Sequence, residues 1–253
     1  MKIQHASDLH LEFPQNRAYL DAHPIRQKAD ILLLAGDTNY LTETLEKDVF
    51  FLSALRDFKH VYLVPGNHEF YKQSFDIAQA LRFEQRVTEN CTYLNNRSIN
   101  VGDVRIIFTT LWTHIEEHRY QAVQMRMNDF HQSMFAGGRF TAADFVSCHA
   151  YCKNYLETEL QKEFSGKTIV VSHHVPYPPE YAKYDWEKSV PDAYHVDLID
   201  LINEYEIDHW IHGHNHWNID SFQIGKTWIH TNQLGYVFNN QHFTFSLDRT
   251  ITI

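Results

Sequence analysis

Cysteine is scarce: Cys91, Cys148 and Cys152 are the only three in 253 residues, and no Cys-x-x-Cys occurs. That excludes a disulfide-stapled scaffold and a thiolate metal module, and it fits a reducing compartment. Cys148 and Cys152 are four apart on an expected helix and read as small buried hydrophobes on one face. A basic excess is also missing. The 22 Lys and Arg stand against 32 Asp and Glu, a formal net charge of −10 with His neutral. Cations that neutralise phosphate supply most non-specific affinity for nucleic acid, so long nucleic acid is not the expected partner. No stretch approaches the about 18 consecutive apolar residues of a membrane span. The first eight residues hold no apolar leader core, so the expected location is cytoplasmic. No internal repeat, low-complexity tract or Pro/Gly/Ser linker divides the chain, which reads as one domain over 1–253.

What is present is an alternation of short apolar runs and longer amphipathic stretches. Residues 31–35 (ILLLA) and 61–64 (VYLV) each end in a turn, Gly-Asp and Pro-Gly respectively. Both read as buried strands, and 41–58 between them has helical spacing, the strand–helix–strand pattern of an α/β sheet. Further strands are expected at 105–111, 168–172 and 208–211, and helices at 72–90, 141–164 and 195–205. The tail alternates over 219–224, 227–231 and 243–247, which predicts an antiparallel finish. Residues 112–140 and 175–195 fit neither period, and loops of that length in a compact domain are often functional.

Five clusters fall at expected strand ends: Asp8-Leu9-His10, Gly36-Asp37, Gly66-Asn67-His68-Glu69, His173-His174 and Gly213-His214-Asn215-His216. Alternate residues of an extended segment share a side, so Asp8 with His10, and His214 with His216, are expected to converge. Singly, each cluster is a common turn or a strand-end histidine. Jointly, carboxylate, imidazole and amide oxygen form a hard-to-borderline donor set for Mn, Fe, Zn or Mg. The carboxyl ends of strands are also where α/β sheets place their sites.

The ordered set Asp-x-His, Gly-Asp, Gly-Asn-His-Glu, His, Gly-His-x-His resembles the calcineurin-like metallophosphoesterase superfamily, over residues 8 to 216. The resemblance implies a four-layer sandwich of two mixed β-sheets flanked by helices. It implies two divalent metal ions, one held by Asp8, His10 and His216, the other by Asn67, His173 and His214, with Asp37 bridging. It further implies hydrolysis of a phosphate ester by a metal-bridging hydroxide, with His68 as the general acid. Glu69 is expected to support the turn. His174 and His212 are expected to support the ligands, and His174 is also a candidate for substrate contact.

The sequence departs from the family pattern at one place. Many relatives continue Gly-Asp-x-x-Asp, the later Asp orienting the acid histidine; here Tyr40 occupies that position and Leu41 follows where protein phosphatases place a phosphate-clamping Arg. The partner of His68 must come from elsewhere. The missing clamp tilts the expectation towards a small phosphodiester. A phosphomonoesterase is the alternative, with Arg119 or Arg126 restoring the clamp, and a non-catalytic metal-binding scaffold is a further one. A nuclease acting on DNA ends fits the acidic balance poorly. A cap insertion is a candidate around 112–140. There Trp112, His114, Arg126, Asn128 and Asp129 are candidate substrate contacts, though helix packing accounts for them equally. In 175–195, Tyr177, Tyr181, Tyr184 and Trp186 either stack on a nucleobase or pack the loop onto the domain.

Overall fold

The structure, a computed structural model, describes the chain except residues 42–47, 49–50, 53–54, 73, 76–80, 136 and 179–189. Most of the helix expected over 41–58, and Tyr181, Tyr184 and Trp186, lie outside the described residues. Strands follow in chain order as β1 (Lys2–Ala6), β2 (Ile31–Ala35), β3 (His60–Val64), β4 (Ser74–Phe75), β5 (Phe83–Arg86), β6 (Cys91–Asn95), β7 (Arg97–Val101) and β8 (Val104–Thr109). Then come β9 (Met134–Phe135), β10 (Gly138–Arg139), β11 (Lys167–Ser172), β12 (His209–His212), β13 (Phe222–Ile224), β14 (Thr227–Thr231) and β15 (Thr250–Thr252). The α-helices that lie wholly within the described residues are α1 (Pro14–Ala22), α2 (Tyr120–Arg126), α3 (Asp129–Gln132), α4 (Ala142–Leu160) and α5 (Ile199–Glu204).

Two six-stranded sheets carry the fold, in the orders β15-β1-β2-β3-β6-β5 and β13-β14-β12-β11-β8-β7. In each, the four inner strands are parallel and the two edges antiparallel. The apolar runs explain this: β2 is buried at every residue, as a strand covered on both faces must be. Its two faces feed different layers. Leu33 and Ala35 join Ile3, Val64, Ile106, Phe108, Val171 and Ile211 between the sheets. Leu32 and Leu34 pack outward with Leu20 of α1, Phe51 and Leu55. On the other side Ile107, Val170, Trp210 and Ile229 meet Leu156 and Leu160 of α4 and Leu201 of α5. The result is a helix–sheet–sheet–helix sandwich. Helix α4 begins where Thr141 and Asp144 close a reciprocal capping box.

Three expectations are corrected. Residues 83–86, expected in a helix over 72–90, form edge strand β5 against β6. The tail is only partly antiparallel: β13 and β14 form a hairpin, but β14 runs parallel to β12. Residues 243–247 form no strand. Their alternation arises because Phe245 and Leu247 pack against the outer apolar cluster from an irregular segment. The three cysteines are free and buried, as expected of small hydrophobes.

Three histidines meet between the sheets, outside the five clusters: His5 of β1, His209 of β12 and His230 of β14. His209 Nδ1 lies 2.9 Å from His230 Nε2, Ser221 Oγ lies 2.8 Å from His230 Nδ1, and the His5 and His230 rings are 5.9 Å apart. Neither ring nitrogen of His5 meets a hydrogen-bond partner among the described residues. Burial, then the neighbouring imidazoles, holds His5 well below its usual value and His230 at about 3, and burial also lowers His209. A histidine depressed on folding contributes stability above its unfolded value near 6.5, and that stability is lost as pH falls through the folded value. Urea midpoints are therefore expected to drop between pH 6.5 and 4. Each fully linked proton contributes a slope of up to about 1.4 kcal/mol per pH unit. His230→Asn is expected to flatten that slope; an unchanged pH profile in the variant would show that the cluster carries no linkage.

Candidate metal centre

The carboxyl ends of the parallel strands supply the site from both sheets. Asp8 and His10 follow β1, Asp37 follows β2, and Asn67 and His68 follow β3. His173 follows β11, and His214 and His216 follow β12. The expected pairs do converge, but not because their segments are extended. Asp8, His10, Asp37, His214 and His216 all have left-handed backbones, with φ of +53°, +46°, +49°, +77° and +54°. Such conformations are uncommon outside glycine and cluster at functional sites. Neighbouring turns hold them: His10 N–H donates to Asp37 O (2.9 Å), and His214 N–H donates to Asp8 Oδ1 (3.0 Å). Two glycines make room. A Cβ on Gly36, itself at φ +89°, would strike the His173 ring, and one on Gly66 would strike the Asp37 carboxylate.

Two donor groups form around Asp37. In one, His10 Nε2 is 2.9 Å from His216 Nε2 and 3.7 Å from Asp37 Oδ2, while His216 Nε2 is 3.4 Å from Asp8 Oδ1. In the other, His173 Nε2 lies 3.0 Å from Asn67 Oδ1, 3.1 Å from His214 Nδ1 and 3.4 Å from Asp37 Oδ1. The opposite ring nitrogens have acceptors of their own. His173 Nδ1 faces Ala35 O (2.9 Å), His216 Nδ1 faces Gln241 Oε1 (2.8 Å), and His10 Nδ1 faces Glu12 Oε1 (2.9 Å). With the ring protons placed there, the inward nitrogens present lone pairs to one another and to carboxylates. Lone pairs that face each other at 2.9 Å repel unless a cation or proton lies between them, so the arrangement fits two divalent ions.

The charges agree. Burial opposes ionisation of Asp37, but His173, His68 and His10 outweigh it and hold its carboxyl well below the usual range. Burial opposes the charged form of His173 too, yet Asp37 raises it to about 9, so a proton and a metal ion compete for that ring. His68 is likewise raised to about 9, burial being outweighed by Asp37 and Glu12. Its N–H donates to Asp37 Oδ1 (2.9 Å), its Nε2 faces Asp37 Oδ2 at 3.9 Å, and its ring stacks on Tyr71.

Two carboxylates missed or underrated in the sequence organise these turns. Glu69 accepts from the amides of Asp37, Thr38 and Gly66 at 3.0, 2.8 and 2.7 Å, tying the β2 turn to the β3 turn. Burial, then the Asp37 charge, raises it to about 8. Glu12 Oε1 lies 2.7 Å from His68 Nδ1 as well as 2.9 Å from His10 Nδ1. The signal was one more alternate position in Asp8-x-His10-x-Glu12. Asn67 is held by a separate chain, its amide donating to Tyr71 Oη (3.1 Å), which donates to Asp129 Oδ2 (3.0 Å).

A cavity of about 500 Å³ opens over this floor, and Asp37, Asn67, His68, His214 and His216 reach it. Arg126, Asn128 and Asp129 of the 112–140 segment line its wall. Trp112 and His174 do not reach it. Trp112 is buried against Phe70, Phe140 and Phe145. His174 lies behind His173 and His214, its ring 4.1 Å from that of His214 and its Nδ1 facing Thr110 O. Successive residues leaving a strand point to opposite sides, so His173 turns towards Asn67 and Asp37 and His174 towards the aromatic core. Their expected substrate contacts are thereby corrected. His114 pairs with Glu116, Arg119 with Asp192, and Tyr177 is core, bonded to His212.

Comparison with known proteins agrees with this fold. An uncharacterized protein of Acanthamoeba polyphaga mimivirus is 24% identical over 266 residues, covering 95% of this chain and 93% of its own. A phosphopantetheinyl hydrolase from Mycobacterium tuberculosis superposes with a TM-score of 0.70 at 16% identity, covering 99% of this chain and 95% of its own. A dimetal phosphatase from Danio rerio gives 0.51 at 13% identity, with coverage of 92% and 87%. The family model for calcineurin-like phosphoesterases matches residues 1–218, so the chain, a hydrolase, belongs to that family.

Proposed function

We propose that the protein hydrolyses a small phosphodiester. The observation that carries this reading is the convergence of Asp8, His10, Asp37, Asn67, His173, His214 and His216 beneath a cavity reached by His68. We assign Asp8, His10 and His216 to one ion, Asn67, His173 and His214 to the other, and Asp37 to both. The N/O donor set suits Mn, Fe, Zn or Mg. When bound, the two ions supply Lewis acidity towards the phosphoryl oxygens and a water acidic enough to attack at neutral pH. The residues of the chain do the rest. Asp37 anchors the His68 amide, and the His68 ring presents Nε2 to the cavity as the proton donor to the departing alcohol. Arg126 is the one guanidinium lining the cavity among the described residues, and we assign it to a non-bridging phosphoryl oxygen.

A single exposed Arg suits the monoanion of a diester better than the dianion of a monoester, which favours a bidentate clamp. The presence of Arg126 is also what favours the second reading, a phosphomonoesterase. The phosphopantetheinyl group named in the Mycobacterium tuberculosis structure is in keeping with an ester bearing an organic arm. The net charge of −10 speaks for a small substrate rather than long nucleic acid. No helix of the described residues is long and apolar enough to cross a membrane. With three free cysteines, we place the protein in the cytoplasm.

Metal-stripped protein is expected to regain cleavage of bis(p-nitrophenyl) phosphate when Mn is restored, in preference to p-nitrophenyl phosphate. Equal or greater monoester turnover would select the second reading. Asp37→Ala is expected to abolish turnover and the binding of two ions per chain, read by calorimetry and elemental analysis. His68→Ala is expected to lower kcat on an alkyl diester by roughly 10²–10⁴, with two ions still bound. Full activity of that variant would remove His68 from the chemistry.

A further inference from the structure

Tyr40 stands where relatives carry the carboxylate that orients the acid histidine, yet His68 is not left without one. Glu12 comes from the turn before α1, two residues after His10. Its side chain is 2% exposed. The same oxygen, Oε1, lies 2.7 Å from His68 Nδ1 and 2.9 Å from His10 Nδ1, and the two rings meet edge to face at 4.5 Å. Its other oxygen has no partner among the described residues. A carboxylate only accepts, so both imidazoles must donate from Nδ1.

We propose that Glu12 is the positioning residue of the acid, one carboxylate that sets both the metal ligand His10 and the proton donor His68. This rests on the assignment of His68 as the acid. For His10, the Nδ1–H bond leaves Nε2 free for a cation. For His68, it places the second proton on Nε2, towards the cavity, and the buried anion stabilises the imidazolium. As the P–O bond breaks, its electron pair stays on the leaving oxygen, which takes the Nε2 proton. The ring is left neutral with Nδ1–H still on Glu12, and solvent returns the proton. A cation held by Glu12 and both Nδ1 atoms is the competing arrangement. It would require His10 to bridge two ions as an imidazolate, because His10 Nε2 already faces His216 and Asp37.

The sharing of one oxygen makes a specific outcome. Glu12→Gln keeps the shape and removes the charge. Against a series of aryl and alkyl diesters at saturating Mn, the variant is expected to lose least on p-nitrophenyl esters, whose leaving group needs no proton. It should lose roughly 10- to 100-fold as the leaving alcohol becomes more basic. Its Mn affinity, titrated into the metal-free protein, is expected to fall roughly tenfold through His10, with two ions still bound. An unchanged leaving-group dependence overturns the proposal, as does a loss that is the same for every ester. A third ion lost on substitution would establish the competing cation site. Nitrogen-15 spectra of the metal-free wild type supply a check that needs no variant: His10 and His68 must both carry Nδ1–H, and a proton confined to Nε2 in either ring overturns the proposal. Failure of the wild type to cleave any diester or monoester would instead strike the functional reading itself.

Discussion

Asp37 stands where the two sheets meet, and the site is arranged around its carboxylate. One oxygen faces His173 at 3.4 Å and receives the His68 amide; the other faces His10 at 3.7 Å and His68 at 3.9 Å. Taking a carboxylate out of water is costly unless it is paired and hydrogen-bonded. Here each of its neighbours comes from a different strand end. The position of Asp37 is therefore decided jointly by β1, β2, β3 and β11, and a shift in any of them would strand a buried charge.

That convergence has a conformational cost. Left-handed backbone costs a non-glycine residue roughly 1–2 kcal/mol, and five of the proposed ligands adopt it. The parallel strands offset this by holding each turn from both ends, and the turns hydrogen-bond to one another across the sheet, as Asp8 N–H does to Gly36 O at 3.0 Å. Glu69 adds a second tie by gathering three amides from two turns. The strain explains why the polar cluster sits at the ends of strands buried on both faces. Only a rigid frame can keep several unfavourable turns in register at once.

Much of the fold was legible where local signals were strong. Strands β2, β3, β8, β11 and β12 are short apolar runs ending in turn residues, and α4 carries its start signal in Thr141 and Asp144. Strand β5 was misread because Phe83–Arg86 is mostly exposed at an edge, where pairing with β6 decides its state rather than its own pattern. Trp112 and His174 were misplaced for a related reason. Their residue types suit a substrate pocket, but whether a ring faces a cavity or a core depends on which way the chain leaves its strand.

By itself the sequence determined the donor types, their order and their attachment to strand ends, because ligand chemistry depends on residue identity and strand ends are marked by local turn residues. Tertiary structure alone decided which nitrogen of each histidine faces inward, that Arg126 rather than Arg119 lines the cavity, and that Glu12 serves both His10 and His68. Those outcomes rest on contacts between segments far apart in the chain. Glu12 and His68, 56 residues apart, share a hydrogen bond only because β1 and β3 flank β2 in one sheet. No local pattern encodes that adjacency; the packing of the sheets produces it.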